Sequence, residues 1–117
     1  MPDTPLQNQL PFPRMYALIW RASKPDAEFD QAGFDARIPR LMLWLKELHA
    51  GGWLVACGGG GFEHSAGGLT IVRARDVHHA CELSDGTPMN EIGTTEVLEW
   101  DVFFGKMDHT ERASKLQ

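Results

Sequence analysis

The hexapeptide Met15-Tyr16-Ala17-Leu18-Ile19-Trp20 is apolar at every position. A strand with one apolar face packs on one core, whereas a strand apolar on both faces must be covered twice and belongs in the middle of its sheet. That demand falls on a chain of 117 residues, long enough for one domain that buries roughly two-thirds of the surface its unfolded form exposes. A core of that size needs neither a metal nor a disulfide as a staple.

The rest of the chain supplies the cover for one face. Residues 1–13 hold four of the seven prolines among Asp, Thr, Gln and Asn, which predicts an extended tail. The domain is expected over 14–105, followed by a polar tail at 106–117. Residues 22–33, with Lys24-Pro25-Asp26, read as a loop. Over 39–50 the apolar residues Leu41, Met42, Leu45 and Leu48 recur at three- and four-residue steps, which predicts a helix, with Phe34 and Ile38 extending the stripe backwards. Pro39 has no amide hydrogen and is expected in the first turn, and Gly51-Gly52 ends the helix.

A strand is predicted over 53–57 and another over 69–74. Between them Gly58-Gly59-Gly60-Gly61-Phe62-Glu63-His64-Ser65-Ala66-Gly67-Gly68 reads as a long hairpin loop. Asp76 is expected to cap a second helix running to about Leu83, with Val77, Ala80, Cys81 and Ser84 as its narrow packing face. Gly86 and Pro88 stop it. Residues 94–104 predict a last strand whose even positions, Leu98, Trp100, Val102 and Phe104, are apolar.

The order β-α-β-β-α-β specifies an α+β, ferredoxin-like fold: a four-stranded antiparallel sheet with two helices on one face. Helices on one face leave the other side of the first strand bare, so a second copy of the sheet is expected to cover it as a homodimer. The formal charge of −5, with eleven Lys and Arg scattered along the chain, argues against a nucleic-acid or anionic-membrane partner. Cys57 and Cys81 form no C-x-x-C motif, no apolar run of ~20 residues is present, and no secretory leader is expected. A soluble protein of the reducing cytoplasm is expected.

Four segments carry a family resemblance. They are Tyr16-Ala17-Leu18-Ile19-Trp20-Arg21, then Leu45-Lys46-Glu47-Leu48-His49-Ala50-Gly51-Gly52-Trp53-Leu54-Val55-Ala56, then Gly67-Gly68-Leu69-Thr70-Ile71-Val72, and Thr95-Glu96-Val97-Leu98-Glu99-Trp100. In this order and spacing, over residues 14–104, the chain resembles the YCII-related family. The resemblance implies the same ferredoxin-like fold assembled as a dimeric α/β barrel. It also implies an acid/base dyad, a histidine early in the first helix and an aspartate-proline pair after the second, and a relative of this kind is a lyase on a chlorinated, hydroxylated aromatic ring. Aligned without gaps from Gly52, Leu41 stands at the histidine position. Aligned from Trp100, Asp85 stands at the aspartate position with Gly86 in place of the proline; a shift through Pro88 puts Thr87 there instead.

Two readings of function follow. In the first the protein is a lyase or isomerase that moves protons on a small, aromatic organic molecule without a cofactor, Asp85 being the acid/base, assisted by His64 or Tyr16. In the second it is a binding or dimerisation module that has lost catalysis with the histidine, because leucine carries no proton. A dimeric α/β-barrel monooxygenase or a muconolactone-isomerase-like protein would share the fold and differ in the pocket.

His64, beside Glu63 in the glycine-rich segment, is the candidate replacement base; otherwise it is an exposed loop histidine. The glycines do not make a phosphate cradle, which needs a helix after the loop and a lysine-hydroxyl pair. They suit a hairpin tip, or backbone that approaches a ligand closely. His78 and His79 lie about 100° apart on a helix and do not converge on one metal; both are expected at a solvated helix start. His49, beside Gly51-Gly52, is expected to face the free carbonyls of the helix end. Tyr16, Trp20, Arg21 and Thr87 are the candidate substrate-binding residues, with Tyr16 and Trp20 on one strand face. No metal or cofactor is expected.

Overall fold

A computed structural model describes residues 14–62 and 65–105. Its elements are β1 (Arg14–Ala22), α1 (Gln31–Ala50), β2 (Leu54–Phe62), β3 (Ser65–Ala74), α2 (Val77–Asp85) and β4 (Gly93–Glu99), with 3₁₀ turns at Asp26–Glu28 and Pro88–Glu91. The four strands pair antiparallel in the order β2-β3-β1-β4. This is the ferredoxin-like α+β fold, and the apolar hexapeptide lies in a central strand.

Cross-strand partners share a face of the sheet. Tyr16, Leu18 and Trp20 therefore stand with Val72, Thr70 and Gly68 of β3, and with Val97 and Thr95 of β4. The helices cover this face: Tyr16, Leu18, Val72 and Ala74 form one core with Trp44, Leu45 and Leu48 of α1 and Ala80 of α2. The opposite face carries Ala17, Ile19, Leu69 and Leu98, the last two exposed. Among the described residues no helix is long and apolar enough to cross a membrane.

Several expectations are corrected. The glycine-rich stretch is strand rather than loop: β2 and β3 pair from Leu54/Val72 out to Phe62/Ser65, so only Glu63 and His64 separate them. Ladder hydrogen bonds use backbone groups that glycine has in full, and pairing outweighs its low strand propensity. Helix α1 begins at Gln31, not near Pro39, because the Asp30 carboxylate accepts the Gly33 N–H at 3.0 Å and caps it. Pro39 sits mid-helix on an exposed side, where water can satisfy the carbonyl that loses its partner. In α2 the buried residues are His79, Ala80 and Ser84, while Val77 and Cys81 are exposed.

His79 is thus not solvated. Its Nδ1 accepts the Arg75 N–H at 3.0 Å, and its ring meets Trp53 edge-on at 4.5 Å. The last strand ends at Glu99 rather than Phe104, since beyond the Trp100 N–H bond to the Met15 carbonyl, at 2.9 Å, β1 offers it no further partner among the described residues. Phe103 and Phe104 are 95% and 81% exposed. The tails expected at 1–13 and 106–117 lie outside the described residues.

Candidate functional site

The helix-covered face is filled at one end and hollow at the other. Where β1 carries Tyr16, the neighbouring strands contribute Val72 and Leu54. Where it carries Trp20, β3 contributes Gly68, whose own partner in β2 is Gly59. Two successive glycines in that row remove the side chains that would meet α1, and a cavity of about 710 Å³ lies between the helix and the sheet. Its size falls within the range of small-molecule sites.

Each wall follows from a local choice. The floor is main chain from the glycines of β2 and β3. The roof is the stripe Phe34, Ile38, Leu41 and Met42 on α1, which the three- and four-residue spacing turns inward. At the far end stand Trp20, Thr95 and the segment joining α2 to β4, with Thr87 and Met89. Gly60 has φ of 151°, a backbone state that a side chain rarely adopts.

Hydrogen bonds hold the rim. The Trp20 indole N–H donates to the Met89 carbonyl at 2.8 Å, and the Trp44 indole N–H donates to the Leu83 carbonyl at 2.9 Å. Both rings therefore offer the cavity their apolar surfaces. The Glu91 carboxylate accepts from Arg37 Nε at 2.9 Å and from both terminal nitrogens of Arg40 at 3.1 and 3.0 Å, tying the Pro88–Glu91 turn to α1. These bonds, Arg40 first, hold the Glu91 carboxyl down from 4.5 to about 2.

The wall is electrically quiet. No Asp, Glu, Lys, Arg or His is among the described residues that line it. Cys57 is the one titratable side chain among the described residues that line it, and burial pushes that thiol up from its ordinary value, so it remains protonated at neutral pH. The polar groups that remain are the hydroxyls of Thr70, Thr87 and Thr95. Among the described residues no three His, Cys, Asp or Glu side chains gather as they would to hold a metal.

The structure separates the residues singled out from the sequence. Trp20 and Thr87 stand in the cavity wall. Tyr16 shares their face of the sheet but lies in the packed core, fully buried, its hydroxyl without a hydrogen-bond partner among the described residues. Arg21 is on the opposite face, 3.3 Å from Glu96 and over the Phe62 ring at 5.1 Å. Asp85 is the exposed last residue of α2 and is not in the wall. His64 lies outside the described residues.

Sequence reasoning passed over Cys57, Met89 and Thr95. Thr95 had a readable signal, because two-residue alternation in β4 puts it on the face of Val97. Met89 had none, since its place depends on the long-range indole bond from Trp20. Compared with known proteins, the chain matches no family model and no curated protein.

Proposed function

We propose that the chain is a YCII-related, small-molecule-binding domain of the cytoplasm that acts as a homodimer and takes its ligand beneath α1 without a cofactor. The observation that carries the binding reading is a cavity of about 710 Å³ whose described walls hold no charged side chain. A general acid or base must lie within reach of the proton it moves. Cys57 keeps its proton, Leu41 lines the cavity at the position where the resemblance implies a histidine, and Asp85 is exposed outside the wall. These features favour the binding module over the lyase or isomerase in which Asp85 and His64 would move a proton. Two free cysteines suit a reducing compartment.

The dimer reading rests on area. Strands of nine, nine, ten and seven residues project to about 570 Å², short of the ~800 Å² per partner typical of stable complexes. Exposed Trp100, Phe103 and Phe104 follow β4 directly, and aromatic side chains of ~150–250 Å² each make up the difference. Replacing Phe103 and Phe104 by serine is expected to shift the protein from dimer to monomer by light scattering. A double variant that stays dimeric removes these residues from the interface.

The test of binding is a thermal-shift screen of catechols, lactones and aromatic acids, coupled to thiol labelling. A ligand in the cavity raises Tm by mass action and slows alkylation of Cys57 while leaving the exposed Cys81 unchanged. Turnover of a hit that disappears in Asp85→Asn or His64→Ala would instead establish the enzyme.

A further inference from the structure

A glycine inside a strand weakens it, and one that persists ordinarily serves a turn, a bulge or a close neighbour. Gly67 and Gly93 have such neighbours: an added Cβ would strike the Phe62 ring at the first and Trp20 and the Arg21 carbonyl at the second. Gly59 and Gly68, partners across β2 and β3, have none. A Cβ on Gly59 meets no atom within 4 Å, and one on Gly68 meets only the Gly58 carbonyl at 3.5 Å. The chain therefore carries the cost of two strand glycines for space that none of its described residues occupies.

The polar groups around that space are complementary and incompletely used. Thr87 is only 7% exposed. Its oxygen accepts the Met89 N–H at 3.2 Å, and its hydroxyl proton has no acceptor among the described residues, so it is free to donate into the cavity it lines. Thr95 donates its proton to Asn90 Oδ1 at 2.6 Å, which leaves its lone pairs to accept. With no charged side chain in the described walls, a charged ligand would give up its hydration without a counter-charge.

Resting on the reading of the cavity as a binding site, we infer that Gly59 and Gly68 are specificity-determining residues, forming a bare main-chain floor that selects an uncharged, flat ring system with a hydroxyl edge for Thr87 and Thr95. The floor has no side chain to fill the hollows of a puckered ring. The roof of Phe34, Ile38 and Leu41 offers only apolar contact. A flat ring touches both surfaces along its whole area, whereas a puckered one of the same skeleton touches each at a few atoms.

Three probes of one skeleton separate the terms: 2-naphthol, uncharged and flat; 2-naphthoate, flat and anionic; and decahydro-2-naphthol, uncharged and puckered. Calorimetric titration is expected to show 2-naphthol binding at least tenfold more tightly than either of the others. Gly59→Val and Gly68→Val are expected to weaken 2-naphthol at least tenfold while Tm stays level or rises, since they fill the space and suit a strand. Gly59→Ala and Gly68→Ala, smaller changes at the same places, are expected to do the same to a lesser degree. Equal affinity for 2-naphthoate or decahydro-2-naphthol overturns the ligand class while leaving the cavity a binding site. Valine variants that fold and bind 2-naphthol as the parent does overturn the role of the glycines. If no probe binds the parent protein and none slows Cys57 alkylation, the binding reading falls together with this inference.

Discussion

At one end of the helix-covered sheet face the row Leu54, Val72 and Tyr16 packs with Leu48 and Ala80, whereas at the other the row Gly59, Gly68 and Trp20 leaves a cavity beneath the same helix. The two rows lie on the same strands and under the same α1, so fold topology does not separate them. Side-chain volume does. The packed end is held by apolar contact, and the hollow end by a frame of directed bonds: Trp20 to Met89, Thr95 to Asn90, and Glu91 to Arg37 and Arg40. A cavity within a small domain persists when such bonds replace the contacts its emptiness forfeits.

Truncating side chains at each end tests that contrast most strongly. Leu48→Ala removes a side chain only 4% exposed from the packed core and is expected to cost about 2–5 kcal/mol. Leu41→Ala removes the same atoms from a half-buried position already facing the cavity, so its cost in urea denaturation is expected to be less than half as great. Equal losses would mean that the space beneath α1 is closed in solution.

The contrast was partly legible in the sequence. The apolar hexapeptide required a central strand, and Asp76 announced the start of α2; both follow from local chemistry, and the Asp76 carboxylate does accept the His79 N–H at 2.9 Å. The glycines were harder to read, because propensity is local while pairing with β3 is not. Pro39 misled for a related reason: a proline's cost in a helix depends on whether water reaches the freed carbonyl, and periodicity does not report exposure. Within the site, alternation put Tyr16 and Trp20 on one face but could not say that one end of that face is filled and the other empty. Thr87 was visible as a residue type, yet its partly used hydroxyl depends on a turn that the sequence does not announce.

Smaller effects follow from one polar atom at each end. Trp20→Phe removes the donor to the Met89 carbonyl and is expected to cost about 1–3 kcal/mol, loosening the Pro88–Glu91 turn enough to speed amide exchange there. Tyr16→Phe removes a buried hydroxyl that has no partner among the described residues and is expected to raise stability by about 1 kcal/mol. The same kind of change, an aromatic ring losing its polar atom, should thus have opposite signs at the two ends. Stabilisation by both substitutions would dissolve the distinction between a frame of bonds and a packed core.

The smallest effect belongs to the ion pairs at the hollow end. The Glu91 carboxyl is depressed from 4.5 to about 2 by its bonds to Arg40 and then Arg37. A group whose folded value lies below its unfolded one adds stability above the unfolded value and loses it as pH falls toward the folded one. Wild type should therefore melt above Glu91→Gln by a constant margin at pH 6–7, and the margin should shrink progressively between 4.5 and about 2. Because Glu91 and Arg40 are about half exposed, the margin should be modest and should narrow further in high salt. The packed end has the more exposed Arg14–Glu99 pair, 3.5 Å apart, which Leu48→Ala leaves in place, so the pH dependence of Leu48→Ala relative to wild type should be flat over the same interval. A margin for Glu91→Gln that is equally flat would show that these bonds do not hold the Pro88–Glu91 turn against α1, and the cavity's far wall would then depend on Trp20 and Asn90 alone.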